Sequence, residues 1–190
     1  KYLLNKEPYL DIVLTDRCNA NCDFCIADLI HKKLDCNLDI FKEKILFAIE
    51  NLHVREVLLL GGEPTISGSL LPIIEWLSTL GLDKIVMTSN GIKLARDNVF
   101  CNEVMSAGLT NINISFMNIN IDKQKGITHS ARPLTLSGIS QIYGSAIKNA
   151  VQMRINSNIF NGNNDNIQEL DQFYKHIRYL CDSVKFSPLL

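Results

Sequence analysis

Three cysteines crowd one short segment, Thr15-Asp16-Arg17-Cys18-Asn19-Ala20-Asn21-Cys22-Asp23-Phe24-Cys25. Thiolates are the ligands that select soft metals and iron–sulfur clusters. Small and polar residues between them let the backbone curl, so one loop can wrap all three around a metal group. Three protein ligands on a four-iron cluster leave one iron open for a substrate or cofactor. The residues alone leave other readings open. A structural zinc site with a remote fourth ligand is one, and buried free thiols are another. Cys36 and His31 are the nearby candidates for a fourth ligand, whereas Cys101 and Cys181 are scattered.

Further polar groups recur where apolar runs end. Gly61-Gly62-Glu63-Pro64 closes the run Glu56–Leu60. The glycines would let backbone approach a ligand closely, and Glu63 offers an acceptor for an ammonium group. A plain turn would also explain them. Ser89-Asn90-Gly91 follows the next run and could bond a ribose, although these residue types favour turns and caps anyway. Ser115, Arg154 and Asn156 place polar side chains within later runs, with Arg154 and Asn156 sharing a face by period two.

These positions need elements to hold them. The pattern predicts strands at Tyr9–Leu14, Glu56–Leu60, Lys84–Thr88, Asn111–Phe116, Gln152–Asn158 and Ser183–Ser187. It predicts helices at Asp39–Leu52, Leu70–Leu80, Asn98–Ala107, Ser137–Asn149 and Ile167–Cys181, the last with Ile167, Leu170, Phe173, Ile177 and Leu180 on one face. Met117–Leu136 reads as loop with some helix. Strands alternating with helices argue for an α/β fold of parallel βαβ units. Right-handed crossovers then give a doubly wound sheet or part of a barrel, and periodicity does not choose between them.

The chain has 190 residues, 46% of them hydrophobic, and a net charge of −1. One domain with one core fits that length, so residues 1–190 are read as one core domain. The Lys at position 1 suits a fragment of a longer protein. No basic run marks a nucleic-acid or membrane-surface partner. No stretch has the apolar length of a membrane span, and no signal peptide is visible. Clustered cysteines in such a chain suggest metal binding in a reducing compartment, the cytoplasm.

Cys18-x-x-x-Cys22-x-Phe24-Cys25 followed by Gly61-Gly62-Glu63-Pro64 resembles the radical S-adenosylmethionine superfamily. The likeness extends through Thr88–Gly91, Gly108–Ser115, Arg154–Asn156 and Asn161–Leu170. It implies a partial (β/α)6 TIM-type barrel of parallel strands. It implies that Cys18, Cys22 and Cys25 bind a 4Fe–4S cluster whose open iron takes S-adenosylmethionine. By position, Phe24 and Leu190 would lie near adenine. Gly61, Gly62 and Glu63 would meet the methionine amino group. Ser89 or Asn90, together with Ser115, would contact ribose or carboxylate, and Arg154 a carboxylate or substrate. The implied chemistry is reductive cleavage of the cofactor to a 5′-deoxyadenosyl radical, which abstracts hydrogen from a small-molecule or peptide substrate. An electron donor such as flavodoxin or ferredoxin is implied as partner.

Within the superfamily, Thr15–Asn19 and Ala107-Gly108-Leu109 resemble the GTP cyclase branch of molybdenum-cofactor biosynthesis. That branch grips its nucleotide with basic side chains. Two of those positions are Asp11 and Leu58 here, and Arg154 keeps the third. Losing two cations removes charge-assisted bonds to a triphosphate, which points away from GTP and toward a peptide-modifying or tailoring reaction. A structural metal module without catalysis is the contrasting reading.

Overall fold

The computed structural model describes residues 8–25 and 38–189. Six strands form one sheet: β1 (Tyr9–Val13), β2 (Glu56–Leu60), β3 (Lys84–Ser89), β4 (Asn111–Ser115), β5 (Gln152–Ile159) and β6 (Ser183–Pro188). Their order in the sheet is their order in the chain, and every pair is parallel. A doubly wound sheet needs a point where the strand order reverses. None occurs, so all crossovers turn the same way and the sheet curls as an open barrel wall.

The helices are α1 (Leu38–Asn51), α2 (Leu70–Ser78), α3 (Asn98–Ser106), α4 (Ile121–Thr128), α5 (Leu136–Lys148) and α6 (Ile167–Ile177). A parallel sheet covered on both faces reads as continuous apolar runs. These strands alternate instead, because one face is covered. Ile12, Val57, Leu59, Ile85, Met87, Ile112, Ile114, Met153 and Ile155 are buried against the helices. Tyr9, Asp11, Val13, Lys84, Gln152 and Lys185 stand exposed on the alternate positions. The core is thus the layer between sheet and helices, and no helix among the described residues covers the other face.

Caps set several helix starts by accepting orphan backbone N–H groups. Asp97 accepts from Phe100, Thr135 from Gly138, and Asn166 from Glu169. Two expectations change. The segment Met117–Leu136 contains a full helix, α4, started by the Asn120 side chain. In α6, Ile167 is 81% exposed and does not join the buried face. It is the first residue past the cap, where the helix has not yet reached the sheet. Leu190, Cys36 and His31 lie outside the described residues.

Phe173 fixes α6 to the sheet. It is fully buried, its ring stacked 5.8 Å from Phe116 and edge-on 5.9 Å from Phe186. Phe173→Ala should therefore cost about 3–5 kcal/mol, read as a lower urea midpoint. A change below about 1 kcal/mol would contradict this packing.

Candidate functional site

The cysteine loop begins where β1 ends. The β1–β2 ladder continues past both strands: Gly62 N donates to Thr15 O (2.7 Å) and Glu63 N to Arg17 O (2.8 Å). A Cβ on Gly61 would lie 2.5 Å from Thr15 O, and one on Gly62 would lie 2.3 Å from Arg17 O. No side chain fits there. The nearest neighbour of the glycines is thus the backbone leading into Cys18.

Glu63 is 1% exposed. Burying a carboxylate is costly unless it is fully hydrogen-bonded. Its Oε1 accepts from Thr65 N (3.1 Å), Thr65 Oγ1 (2.6 Å) and Ser89 Oγ (2.7 Å), and its Oε2 accepts from Asn90 N (2.7 Å). It therefore ties the end of β2 to the end of β3. Oε2 keeps room for another donor, since a carboxylate offers about four lone-pair sites. Ser89 is buried, its hydroxyl engaged with Glu63 and with Gly91 N. Asn90 turns outward: its Nδ2 donates to Asn19 Oδ1 (2.7 Å) and reaches Cys18 Sγ (3.9 Å).

The far side of the loop rests on α4. Asn21 N donates to Thr128 O (3.0 Å) and Asp23 N to Ile127 O (3.1 Å). His129, in the left-handed conformation that ends α4, meets the Asp23 carboxylate at 2.5 Å on the surface. Phe24 packs on Phe160 at the end of β5, ring centroids 6.1 Å apart.

Cys18 is exposed, and Cys22 and Cys25 are partly buried. Burial pushes the Cys22 thiol up to about 12, and negative charge on Cys18, Cys25 and Asp23 adds to it. Burial also raises Cys18, against lowering by the Ala20 backbone, while Glu63 and Cys25 raise it further. Cys18 and Cys22 thus resist becoming thiolates without nearby positive charge, which a metal cluster would provide. Among the described residues no three His, Cys, Asp or Glu side chains converge tightly enough to share one metal ion. Three thiols within eight residues of one anchored loop are the donor set that a four-iron cluster would take.

Ser115 lines a small cavity of about 20 Å³ with Cys22, Phe24, Asn90, Met117, Gln124 and Thr128. Arg154 is not brought there. It lines a separate cleft of about 410 Å³ at the opposite, amino-terminal end of the strands, where Tyr9, Glu56, Lys84, Asn111, Gln152 and Ser183 begin β1–β6, and it donates Nε to Asn156 Oδ1 (3.0 Å). Residues the sequence did not mark also hold the site, among them Gln124, Thr65 and the carboxyl end of α4. The side chain of Asn120 was the one local signal for that helix.

Residues 12–177 match the Radical SAM superfamily. The chain belongs to the radical S-adenosylmethionine superfamily. Membership makes it an enzyme whose cofactors are a 4Fe–4S cluster and S-adenosylmethionine. It is 31% identical over 163 residues to a GTP 3',8-cyclase of Brucella abortus (strain S19), covering 78% of this chain and 43% of that protein. It is 27% identical over 182 residues to the GTP 3',8-cyclase of Paracoccus denitrificans (strain Pd 1222), covering 92% of this chain and 49% of the relative. The chain therefore spans about half the length of these relatives. Among solved structures, Streptococcus suis SuiB bound to S-adenosylmethionine superposes with TM-score 0.71 at 19% identity, covering 95% of this chain and 38% of that one. Methylornithine synthase (PylB) superposes with TM-score 0.73 at 12% identity, covering 96% and 53%. These likenesses show the shared barrel. No helix among the described residues is long and apolar enough to cross a membrane.

Gly62→Ala tests the docking of the cysteine loop. The added methyl meets backbone, so it should cost about 1–3 kcal/mol and speed alkylation of Cys18 and Cys22 in the native protein. Cys101 and Cys181, both buried, should stay protected in either form. An unchanged alkylation rate in the variant would show that the loop does not need the close approach.

Proposed function

We propose that Cys18, Cys22 and Cys25 hold the cluster and that the protein uses S-adenosylmethionine to abstract hydrogen from a small-molecule or peptide substrate. The single observation that supports this most is the tie between the Thr15–Arg17 backbone, which leads into Cys18, and the Gly61–Glu63 turn. When bound, the cluster and its partner cofactor supply the electron, the C5′–S cleavage and the 5′-deoxyadenosyl radical. The chain supplies position. Glu63 Oε2 accepts the methionine ammonium beside Asn90. Gly61 and Gly62 act through the loop, by admitting the Thr15–Arg17 backbone beside that turn. Phe24 offers an aromatic face to adenine, and Leu190 is assigned to adenine by the family resemblance alone. Asn90 and Ser115 bond ribose or carboxylate groups, and Ser89 acts beneath them by holding Glu63. Arg154 binds a carboxylate of the substrate on the open face.

The substrate is read as one without a triphosphate. Asp11 and Leu58 are partners in register across β1 and β2, so an acid and an apolar group occupy one wall of the open face. Cations lie on the other, Arg154 on β5 and Lys185 on β6. A cytoplasmic electron donor of the flavodoxin or ferredoxin type would serve the cluster. No nucleic-acid or membrane partner is proposed. Residues 1–190 are read as the core domain of a longer protein.

Anaerobic reconstitution should give a brown protein with broad absorption near ~400 nm, as iron–thiolate clusters do. Reduction with S-adenosylmethionine should then release 5′-deoxyadenosine, and Cys22→Ser should abolish both signals. Added GTP should leave the product spectrum unchanged. A colourless protein holding zinc, or undiminished release by Cys22→Ser, would sink the assignment.

A further inference from the structure

The cysteine loop has a second backbone anchor besides the glycine turn. The amides on either side of Cys22, those of Asn21 and Asp23, donate to the last two carbonyls of α4. The direction in which Cys22 presents its thiol therefore depends on where α4 sits.

The helix does not place itself. It has eight residues, with Gly126 inside, and helices this short are marginal without tertiary contacts. Its buried residues are Gln124, Ile127 and Thr128. Gln124 is 2% exposed. Its Oε1 accepts from Met117 N (3.1 Å) and Asn118 N (2.9 Å), the backbone just past β4. Its own carbonyl accepts from Thr128 Oγ1 (2.8 Å), which joins the middle of α4 to the end that carries the loop.

The receiving backbone is itself held. Asn164 Nδ2 donates to Met117 O (2.7 Å), and Asn118 Nδ2 to Asn163 Oδ1 (2.9 Å). Both asparagines follow β5 and are buried. A continuous set of bonds thus runs from the end of β5, through Met117 and Asn118, to Gln124, to Ile127 and Thr128, and to the amides flanking Cys22. Gln124 and Thr128 also line the small cavity behind Cys22 and Phe24.

We infer that Gln124 is the positioning residue for the cysteine loop: one amide oxygen seats α4 on the end of β4, and α4 sets the backbone that presents Cys22. Replacing that acceptor leaves two buried N–H groups unpaired and frees the helix to shift. The consequence for a bound cluster rests on the function proposed above; the mechanical link to the loop does not.

The test compares Gln124→Leu with Gln124→Glu, which keeps an acceptor for both amides. In the cluster-free protein, amide hydrogen exchange at Asn21 and Asp23 should rise about tenfold or more in Gln124→Leu. Exchange in β2 and β5 should stay as in the parent, and Gln124→Glu should restore loop protection. After reconstitution and reduction, the electron paramagnetic resonance signal with S-adenosylmethionine should shift or broaden in Gln124→Leu and return to the parent form in Gln124→Glu. Unchanged loop exchange in a folded Gln124→Leu protein would overturn the inference. If that variant does not fold, Gln124→Met takes its place; failure of both to fold would also overturn it, by making Gln124 a determinant of the whole core. A parent protein that takes up no cluster would refute the proposed function, while the exchange data would still decide the role of Gln124.

Discussion

Two backbones pass within hydrogen-bond distance at the end of the first βα unit, Thr15–Arg17 on one side and Gly61–Glu63 on the other. That approach seats the start of the cysteine segment beside the end of β2. It carries the β1–β2 register into a loop that would otherwise leave the sheet. It also sets Glu63 where β3 can reach it. The buried carboxylate then collects Thr65, Ser89 and Asn90, so the ends of β2 and β3 cannot splay independently. Asn90 closes the circuit by reaching Asn19 in the same loop.

The open face has a different logic. Because helices cover one side of the sheet, alternate residues of each strand face away from the core, and their chemistry is free to vary without loss of packing. Mid-strand, β2 and β3 place Leu58 and Val86 there and β4 and β5 place Asn113, Arg154 and Asn156, while Glu56 and Lys84 begin β2 and β3 on the same face. This division is set by strand alternation rather than by loops, so it belongs to the rigid frame.

Much of this was legible from residue order. Asn-Ile-Asn-Ile-Ser in β4 and Gln-Met-Arg-Ile-Asn in β5 alternate strictly, and the structure puts their apolar members inward. Every strand fell where its apolar run predicted it. The choice between a doubly wound sheet and a barrel wall was not legible from periodicity, since it depends on the direction of each crossover. The family resemblance supplied it, and the consecutive strand order agrees. The helix α4 was hidden for a physical reason. Ile121-Asp122-Lys123-Gln124-Lys125-Gly126-Ile127-Thr128 offers two isoleucines and buries a glutamine, so its inner face is fixed by hydrogen bonds that no hydrophobic period reports. The glycine pair was visible, but its nearest neighbour was not. Sequence tells that Gly61 and Gly62 tolerate close approach, and only the fold shows that a second backbone is what approaches.

The bond pattern around Glu63 bears on how the site meets its cofactors. A buried carboxylate with one donor would wait on a ligand cation and leave the strand ends loose until it arrived. Here four donors already satisfy it, three of them on Oε1. Oε2 is therefore held in place by the protein's own donors, so the ammonium contact proposed there would need little further ordering. The backbone of the cysteine loop is held by the glycine turn before Cys18 and by α4 on either side of Cys22, while Cys18 is exposed and burial holds the Cys22 thiol protonated. The backbone around these two thiols is thus fixed by contacts that do not depend on a ligand.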